Sequence, residues 1–237
     1  MWRDQVYFLL IESISEFHRL LSLPAPLHPL VSVINVKDVT PLDSNVWAKF
    51  AAHFYSVSIK HDVKVKVKYG QLDDLNSMIR DCGSSWMLLF HADSLYGHPL
   101  GTTIKNYGYF SYEFNEALHL SEKGRTNPRR DLYQNRARGP IHRGHTQNII
   151  LTQIELLLQY CDRFYQRQFI TRKKAIDALL VQLEKFVNQY FDSQTAIDRG
   201  LPSLEDIASQ LNISPRYMSD MLRILTGQRA QQHTFRK

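Results

Sequence analysis

The chain has 237 residues, of which 43% are hydrophobic and 22% are charged. This composition excludes a low-complexity disordered chain and fits a globular protein of one or two domains. The two cysteines, Cys82 and Cys161, form neither a CxxC pair nor a disulfide framework, so a cytoplasmic location is expected.

An apolar run at residues 6–11 opens the chain, bracketed by Asp4 and Glu12. A run of this length is too short for a signal-peptide core or a membrane span, so we expect no contact with a membrane. We interpret residues 4–21 as one amphipathic helix. Its apolar stripe would consist of Val6, Leu10, Ile14, Phe17 and Leu21.

Residues 27–120 contain short runs rich in Val, Ile, Phe and Tyr, separated by polar residues and proline. The predicted strands lie at residues 30–36, 54–59, 63–67 and 86–90. The third of these alternates valine with lysine, so one of its faces should be buried and the other should lie in water. We therefore predict an α+β protein with a strand-rich N-terminal domain.

A dense cluster of positive charge lies between residues 123 and 145. It contains seven lysine or arginine side chains and one acid, Asp131, so its net charge of +6 equals that of the whole chain. We assign residues 121–145 to a basic linker, because such charge runs are usually solvated. The same arginines can still attract DNA phosphates without reading sequence.

From residue 146 onward the apolar residues recur about every 3.6 positions, which predicts two helices separated by a polar break at residues 171–174. The stripe of the first helix comprises Ile150, Ile154, Leu157, Cys161 and Phe164. Two interpretations remain open. Either both helices bury their apolar stripes within their own domain, or one of the stripes forms the contact surface of a homodimer within residues 146–191.

The most informative segment is residues 200–227, which carries the local signals of two capped helices. Ser203 can cap the first helix and has Asp206 three residues further on, an approximate capping box. The predicted inward-facing side chains of this helix are Leu204, Ile207, Ala208 and Leu211.

The second helix of this segment has its own boundary signals. Ser214 can cap it, Pro215 suits the first helical position, and Gly227 can end it in left-handed geometry. Its inward-facing side chains would be Met218, Met221, Leu222 and Leu225. Two helices joined by a short turn match the helix-turn-helix motif, whose second helix enters the major groove, although other helical hairpins share this pattern.

Four runs of this sequence resemble transcription regulators of the AraC/XylS family. They are SYEFNEALHLSEK at residues 111–123, QIELLLQY at 153–160, RFYQRQFITRK at 163–173 and LNISPRYMS at 211–219. The resemblance implies a cupin-like sensor domain for an unknown small-molecule effector, a helical connector and a DNA-binding domain. The corresponding segments would be residues 1–120 for an incomplete sensor, 146–192 for the connector or dimerisation hairpin, and 200–237 for the helix-turn-helix.

Carried over by position, the resemblance implies that Arg216, Ser219 and Asp220 face the bases of double-stranded DNA. Tyr217 and Arg223 would lie nearer the DNA backbone. An arginine can donate twice to guanine, a serine can donate or accept, and an aspartate can accept from cytosine.

An enzyme is the weakest alternative, and we predict no catalytic residue, cofactor or metal site. The ten histidines show no metal-ligand spacing, and nucleotide-binding and hydrolase motifs are absent from the sequence. A lone histidine such as His91 is more often a packed residue than a ligand.

The sequence departs from the family pattern in three places. It stops ten residues after Gly227, before the second helix-turn-helix of the family; its stretch at residues 71–85 is short; and its linker is rich in arginine. We therefore expect a truncated regulator whose sequence-specific DNA binding is weakened. The alternatives are a partner that dimerises with intact regulators without binding DNA, and a non-functional gene remnant.

Overall fold

The computed structural model describes residues 7–39, 48–60, 64–72, 85–113, 116–119, 143–192 and 200–227. Within these ranges the protein is of the mixed α+β class, as predicted. The chain divides into two compact units. We call residues 1–110 and 119–160 the sheet unit, and residues 111–118 and 161–237 the helical unit. The predicted basic linker lies outside the described residues as far as residue 142.

The described strands form one six-stranded sheet in the order β2-β5-β3-β4-β6, with β1 paired to β3. Their bounds are Tyr7–Ile11 (β1), Val31–Asn35 (β2), Ala48–Lys60 (β3), Lys64–Leu72 (β4), Ser85–His91 (β5) and Leu118–His119 (β6). Strand β3 organises the sheet, because its first residues pair in parallel with β1 and its last seven pair antiparallel with β5. All four strands predicted between residues 30 and 90 are confirmed.

The valine side of β4 is buried, as its alternating sequence predicts. Val65 and Val67 lie in the interior, and the chain register pairs Val67 with Val57 of β3. A β-strand directs successive side chains to opposite faces, and Lys68, which follows Val67, is only half-buried.

The predicted helix over residues 4–21 is wrong at residues 7–11, and residues 4–6 lie outside the described ranges. Residues 7–11 form β1, and the helix α1 spans only Ile14–Leu20. Ser13 caps this helix by accepting from the Glu16 N–H at 3.1 Å, while the Glu16 carboxylate accepts from the Glu12 N–H at 2.9 Å. These local bonds start the helix after Ser13, and the apolar run before it gains ladder bonds with β3 instead.

The core of the sheet unit forms where α1 packs on the sheet. Phe17 is fully buried, and its ring meets Phe54 edge to face with centroids 5.6 Å apart. The other members of this apolar cluster are Ile11, Ile14, Leu21, Ile34, Val39, Ala52, Met87 and Leu89. A buried His18 at its edge bonds to the Pro24 carbonyl at 2.6 Å and to the Ser32 hydroxyl at 2.7 Å.

The remaining α-helices of the described ranges are Leu100–Thr103 (α2), Arg143–Thr171 (α3), Lys173–Phe191 (α4), Leu204–Gln210 (α5) and Pro215–Thr226 (α6). The predicted break at residues 171–174 is confirmed, since α3 ends and α4 begins there. Helix α3 contributes its residues to Tyr160 to the sheet unit and those from Cys161 to the helical unit. None of these helices combines the length and the apolar character needed to cross a bilayer.

The apolar stripe of α3 packs within this chain. Ile154 and Cys161 are almost fully buried, while Ile150, Leu157 and Phe164 are half-buried. This observation favours the interpretation in which the stripe is used by its own chain, because buried side chains cannot also form a seam with a second copy. A homodimer through residues 146–191 stays a prediction.

Candidate nucleic-acid interface

Helix α5 begins where its local sequence predicts. The Ser203 Oγ accepts from the Asp206 N–H at 3.1 Å, and the Asp206 carboxylate accepts from the Ser203 N–H at 3.1 Å. This reciprocal pair satisfies two N–H groups that have no partner within the helix. The predicted capping box is therefore confirmed.

A short turn leads from α5 into α6. Asn212 adopts left-handed backbone geometry with φ 52°, which asparagine tolerates better than most residues. Ser214 then caps α6 by accepting from the Tyr217 N–H at 3.2 Å, and Pro215 occupies the first helical position. Gly227 ends the helix with φ 70°. Both predicted boundaries of the second helix are confirmed.

The apolar sides of α5 and α6 are buried at six of the eight predicted positions. These are Ile207, Ala208, Leu211, Met218, Met221 and Leu222. Leu204 is half-buried, and the inward position predicted for Leu225 is wrong because this side chain is exposed. The reason is length: α5 has seven residues and α6 has twelve, so α5 cannot cover the whole of α6.

One long side of α6 is partly open to solvent: Arg216 and Arg223 are exposed, and Ser219 and Thr226 are half-buried. Arg216, Ser219, Arg223 and Thr226 recur at intervals of three or four residues, which places them on a single face. The Arg216 and Arg223 side chains are 48% and 62% exposed. We call these four residues the open face of α6.

Tyr217 and Asp220 do not belong to the open face. They are 8% and 7% exposed, so the expectation that Asp220 faces outward is wrong. The Tyr217 ring packs against Tyr112 and Phe169, with centroid distances of 5.1 and 5.0 Å. Burial raises the pKa of the Tyr217 hydroxyl, and the nearby Glu116 carboxylate adds to this shift.

The Asp220 carboxylate lies between the two arginines of the open face. Its Oδ2 accepts from Arg216 Nε at 3.0 Å, and its Oδ1 accepts from Arg223 Nη2 at 3.1 Å. The Tyr112 hydroxyl donates to the same Oδ2 at 3.0 Å. Burial, followed by the charge of Asp220, raises the pKa of Tyr112 far above its usual range, so this hydroxyl stays a donor.

A second acid, Asp162 of α3, contributes to the field around this carboxylate. Its pKa is raised, mainly by burial and also by the Asp220 charge, against the lowering effects of its hydrogen bond from Gln166 and of Arg223. Two arginines and two carboxylates therefore nearly balance each other. This part of the helical unit therefore carries little net charge.

The segment 111–118 supplies a second buried carboxylate to the helical unit. Glu116 is 4% exposed and accepts from the Glu113 N–H at 2.6 Å. It also accepts from the Ser214 N–H at 2.5 Å and from the Ser214 hydroxyl at 2.7 Å. The residue that caps α6 is thus itself held by Glu116.

Sequence reasoning did not find Tyr112 or Glu116, although both lie in the run at residues 111–123 that carries the family resemblance. Their partners Asp220 and Ser214 are 108 and 98 residues away along the chain. Periodicity and capping rules act within about four residues, so no local signal could have paired these side chains.

Two further observations concern the reactive and metal-ligating side chains of the described ranges. Burial raises the pKa of the Cys161 thiol to about 12, which makes it a poor nucleophile near neutral pH. Within the ranges that the structure describes, no three His, Cys, Asp or Glu side chains group closely enough to hold a metal ion.

The sheet unit carries an open cleft of about 630 Å³ beside α2. Tyr55 forms part of its lining, and the Tyr55 ring stacks on Phe90 at a centroid distance of 4.9 Å. Tyr96 and His98 line the cleft as well. Its volume falls within the range of small-molecule pockets.

Comparison of the chain with protein-family models, with curated proteins and with solved structures finds no match.

Proposed function

We propose that α5 and α6 form the helix-turn-helix of a DNA-binding transcription regulator of the AraC/XylS type, with α6 as the reading helix. The observation that carries this proposal is the open face of α6, where Arg216, Ser219 and Arg223 reach solvent while the rest of the helix is largely buried. A reading helix needs this division, because its inner side must fix its position while its outer side enters the major groove.

Each exposed side chain has a chemically suitable task at DNA. Arg216 lies in the first turn of α6, and the N-terminal residues of a recognition helix are those that contact base edges. Its guanidinium can donate to the O6 and N7 atoms of guanine. Ser219 can bond to a base, and Arg223 can reach a phosphate.

Asp220 and Tyr217 are not assigned to contacts with DNA in this proposal. Asp220 is held by Tyr112 and by two arginines, so its oxygens are used within the protein. Tyr217 packs among aromatic rings. The contacts to DNA are therefore assigned to Arg216, Ser219 and Arg223.

The sheet unit would be the sensor of such a regulator. Its cleft beside α2 is the proposed place for a small-molecule effector, because aromatic walls next to polar groups are typical of ligand pockets. A regulator of this kind would act in the cytoplasm.

Selection from a pool of random 30-base-pair duplexes tests the proposal. The protein should enrich a common sequence, and Arg216→Ala should bind that duplex about 5- to 150-fold more weakly, the loss of one bidentate contact. Arg19→Ala removes an exposed arginine of α1 as the matched control and should bind like wild type. Absence of enrichment, or equal losses in both variants, would contradict sequence-specific reading by α6.

Non-specific binding should accompany this reading. A reading helix with nearly balanced charge relies on the basic segment 121–145 for phosphate contacts. The logarithm of the binding constant should then fall linearly with the logarithm of salt concentration, with a slope of roughly 0.9 per phosphate contacted. Titration at several salt concentrations measures this slope.

A further inference from the structure

The Asp220 carboxylate has a geometry that a simple surface acid does not need. It is 7% exposed, and three donors from Tyr112, Arg216 and Arg223 approach its two oxygens at 3.0 to 3.1 Å. A buried carboxylate loses its hydration, so such partners must compensate for that loss. Its position is therefore fixed, and it limits the positions that the two arginines can take.

Arg216 uses only its Nε toward Asp220. Within the described residues the structure assigns it no other polar partner, which leaves both terminal Nη groups available at the tip of the side chain. Two parallel N–H groups at this tip match the O6 and N7 acceptors of one guanine. The bond at Nε sets the plane and the direction of the guanidinium without occupying the atoms that would read the base.

We infer that Asp220 is a positioning residue that orients Arg216 toward a single guanine, and that Tyr112 holds Asp220 in place for this task. The inference rests on the proposed function and deepens it by assigning guanine recognition to Arg216. Arg223 shares Asp220 through one Nη group and is held beside Arg216, with its remaining N–H groups directed to the DNA backbone.

A purely electrostatic role for Asp220 and a positioning role predict opposite changes in DNA affinity when the carboxylate is removed. If Asp220 only neutralised the two arginines, removing its charge would strengthen binding to every duplex. If it positions Arg216, removing the carboxylate or its anchor weakens binding at one guanine. Tyr112→Phe deletes the anchoring hydroxyl without changing the charge, so it separates the two roles.

The test uses the duplex enriched by the wild-type protein and derivatives in which each guanine in turn is replaced by 7-deazaguanine, which lacks the N7 acceptor. Wild type should lose about 10-fold in affinity at one guanine. Tyr112→Phe should bind the parent duplex about 3- to 10-fold more weakly and should lose less on that replacement. Tyr109→Phe removes a buried hydroxyl of the sheet unit as the matched control and should bind like wild type.

A second measurement needs no DNA. In ¹⁵N–¹H spectra of the full chain, the Arg216 Nε–H signal, identified by its absence in Arg216→Lys, should exchange slowly with water because it donates to a buried carboxylate. The signal should shift and exchange faster in Asp220→Asn and in Tyr112→Phe, with thermal unfolding confirming that both variants fold. Tyr109→Phe should leave it unchanged.

The outcomes distinguish failure of the proposed function from failure of the positioning role of Asp220. If no duplex is enriched, the proposed function fails and the inference fails with it. If a duplex is enriched but Tyr112→Phe behaves like wild type on every derivative, only the positioning role is overturned. Tighter binding by Asp220→Asn, with an unchanged Arg216 signal in Tyr112→Phe, overturns it as well and assigns Asp220 to charge balance.

Discussion

The two units of the protein solve the burial of polar groups in different ways. In the sheet unit the cluster around Phe17 and Phe54 is apolar, and the buried His18 side chain bonds to two uncharged partners, a backbone carbonyl and a hydroxyl. In the helical unit two acids, Glu116 and Asp220, are buried beside aromatic rings.

This difference shows how each unit specifies its arrangement. Apolar contact stabilises a fold in proportion to buried area, but it has little directional preference. A buried carboxylate is costly unless particular donors meet it, so it permits few arrangements. The position of α6 is held by Glu116 at its cap and by Tyr112 at Asp220, whereas the sheet unit relies on close packing.

Removal of a buried aromatic ring from the sheet unit should change the free energy of unfolding more than any other substitution considered. Phe17→Ala should lower the free energy of unfolding by about 3–5 kcal/mol, because it removes a fully buried ring and leaves a cavity. Leu27→Ala removes an exposed side chain of the same unit and should change it by less than about 0.5 kcal/mol. Urea unfolding followed by circular dichroism measures both. Equal losses would show that burial at Phe17 is not what stabilises the sheet unit.

Removal of the buried negative charge of Glu116 should lower the free energy of unfolding somewhat less than Phe17→Ala. Glu116→Gln replaces one acceptor oxygen by an NH₂ group that faces existing donors, so we expect a loss of about 2–3 kcal/mol. Glu113→Gln, at an exposed neighbouring acid, is the matched control and should leave stability nearly unchanged. A Glu116→Gln protein as stable as the control would mean that Glu116 does not anchor α6.

The raised pKa of Cys161 predicts how stability responds to alkaline pH. The unfolded thiol ionises near pH 9, while the folded thiol ionises near its pKa of about 12. The stabilising contribution is therefore complete below pH 9 and is lost as pH rises toward 12. Between pH 8 and pH 10 the free energy of unfolding should fall more in the protein that keeps Cys161 than in Cys161→Ala, with Cys82→Ser present in both proteins. If the free energy of unfolding falls equally in both proteins, the pKa of Cys161 is not raised in the folded state.

Removal of one buried hydroxyl from the sheet unit should change the free energy of unfolding only slightly. Tyr109 donates to the Leu158 carbonyl at 2.9 Å within the sheet unit, so Tyr109→Phe should cost about 1 kcal/mol. Tyr96→Phe, at a fully solvated ring, should cost nothing measurable. Thermal unfolding compares the two, and a loss above about 2 kcal/mol at Tyr109 would show that polar contacts matter as much in this unit as in the other.

Much of the local structure was predictable from the sequence. The caps at Ser203 and Ser214, the end of α6 at Gly227 and the four strands between residues 30 and 90 all follow from residues within a few positions of each other. The same kind of signal, Ser13 followed by Glu16, marks the true start of α1, although the longer apolar periodicity predicts a start nearer the N-terminus.

The candidate site was predictable only in part. Arg216, Ser219 and Arg223 were placed on the right helix because the boundaries of α6 depend on its own residues. The burial of Tyr217 and Asp220 was not predictable from the sequence. No signal within α6 indicates that Tyr112, which is distant along the chain, packs against Tyr217 and donates to Asp220.

Local sequence signals therefore fix both ends of α6, the start of α5 and the alternation of β4, since capping bonds and side-chain alternation act over one to four residues. The tertiary structure alone decided that residues 7–11 pair with β3 and that the segment 111–118 holds α6. The physical reason is range: a ladder bond or a buried carboxylate depends on donors and acceptors that only folding brings within 3 Å of each other.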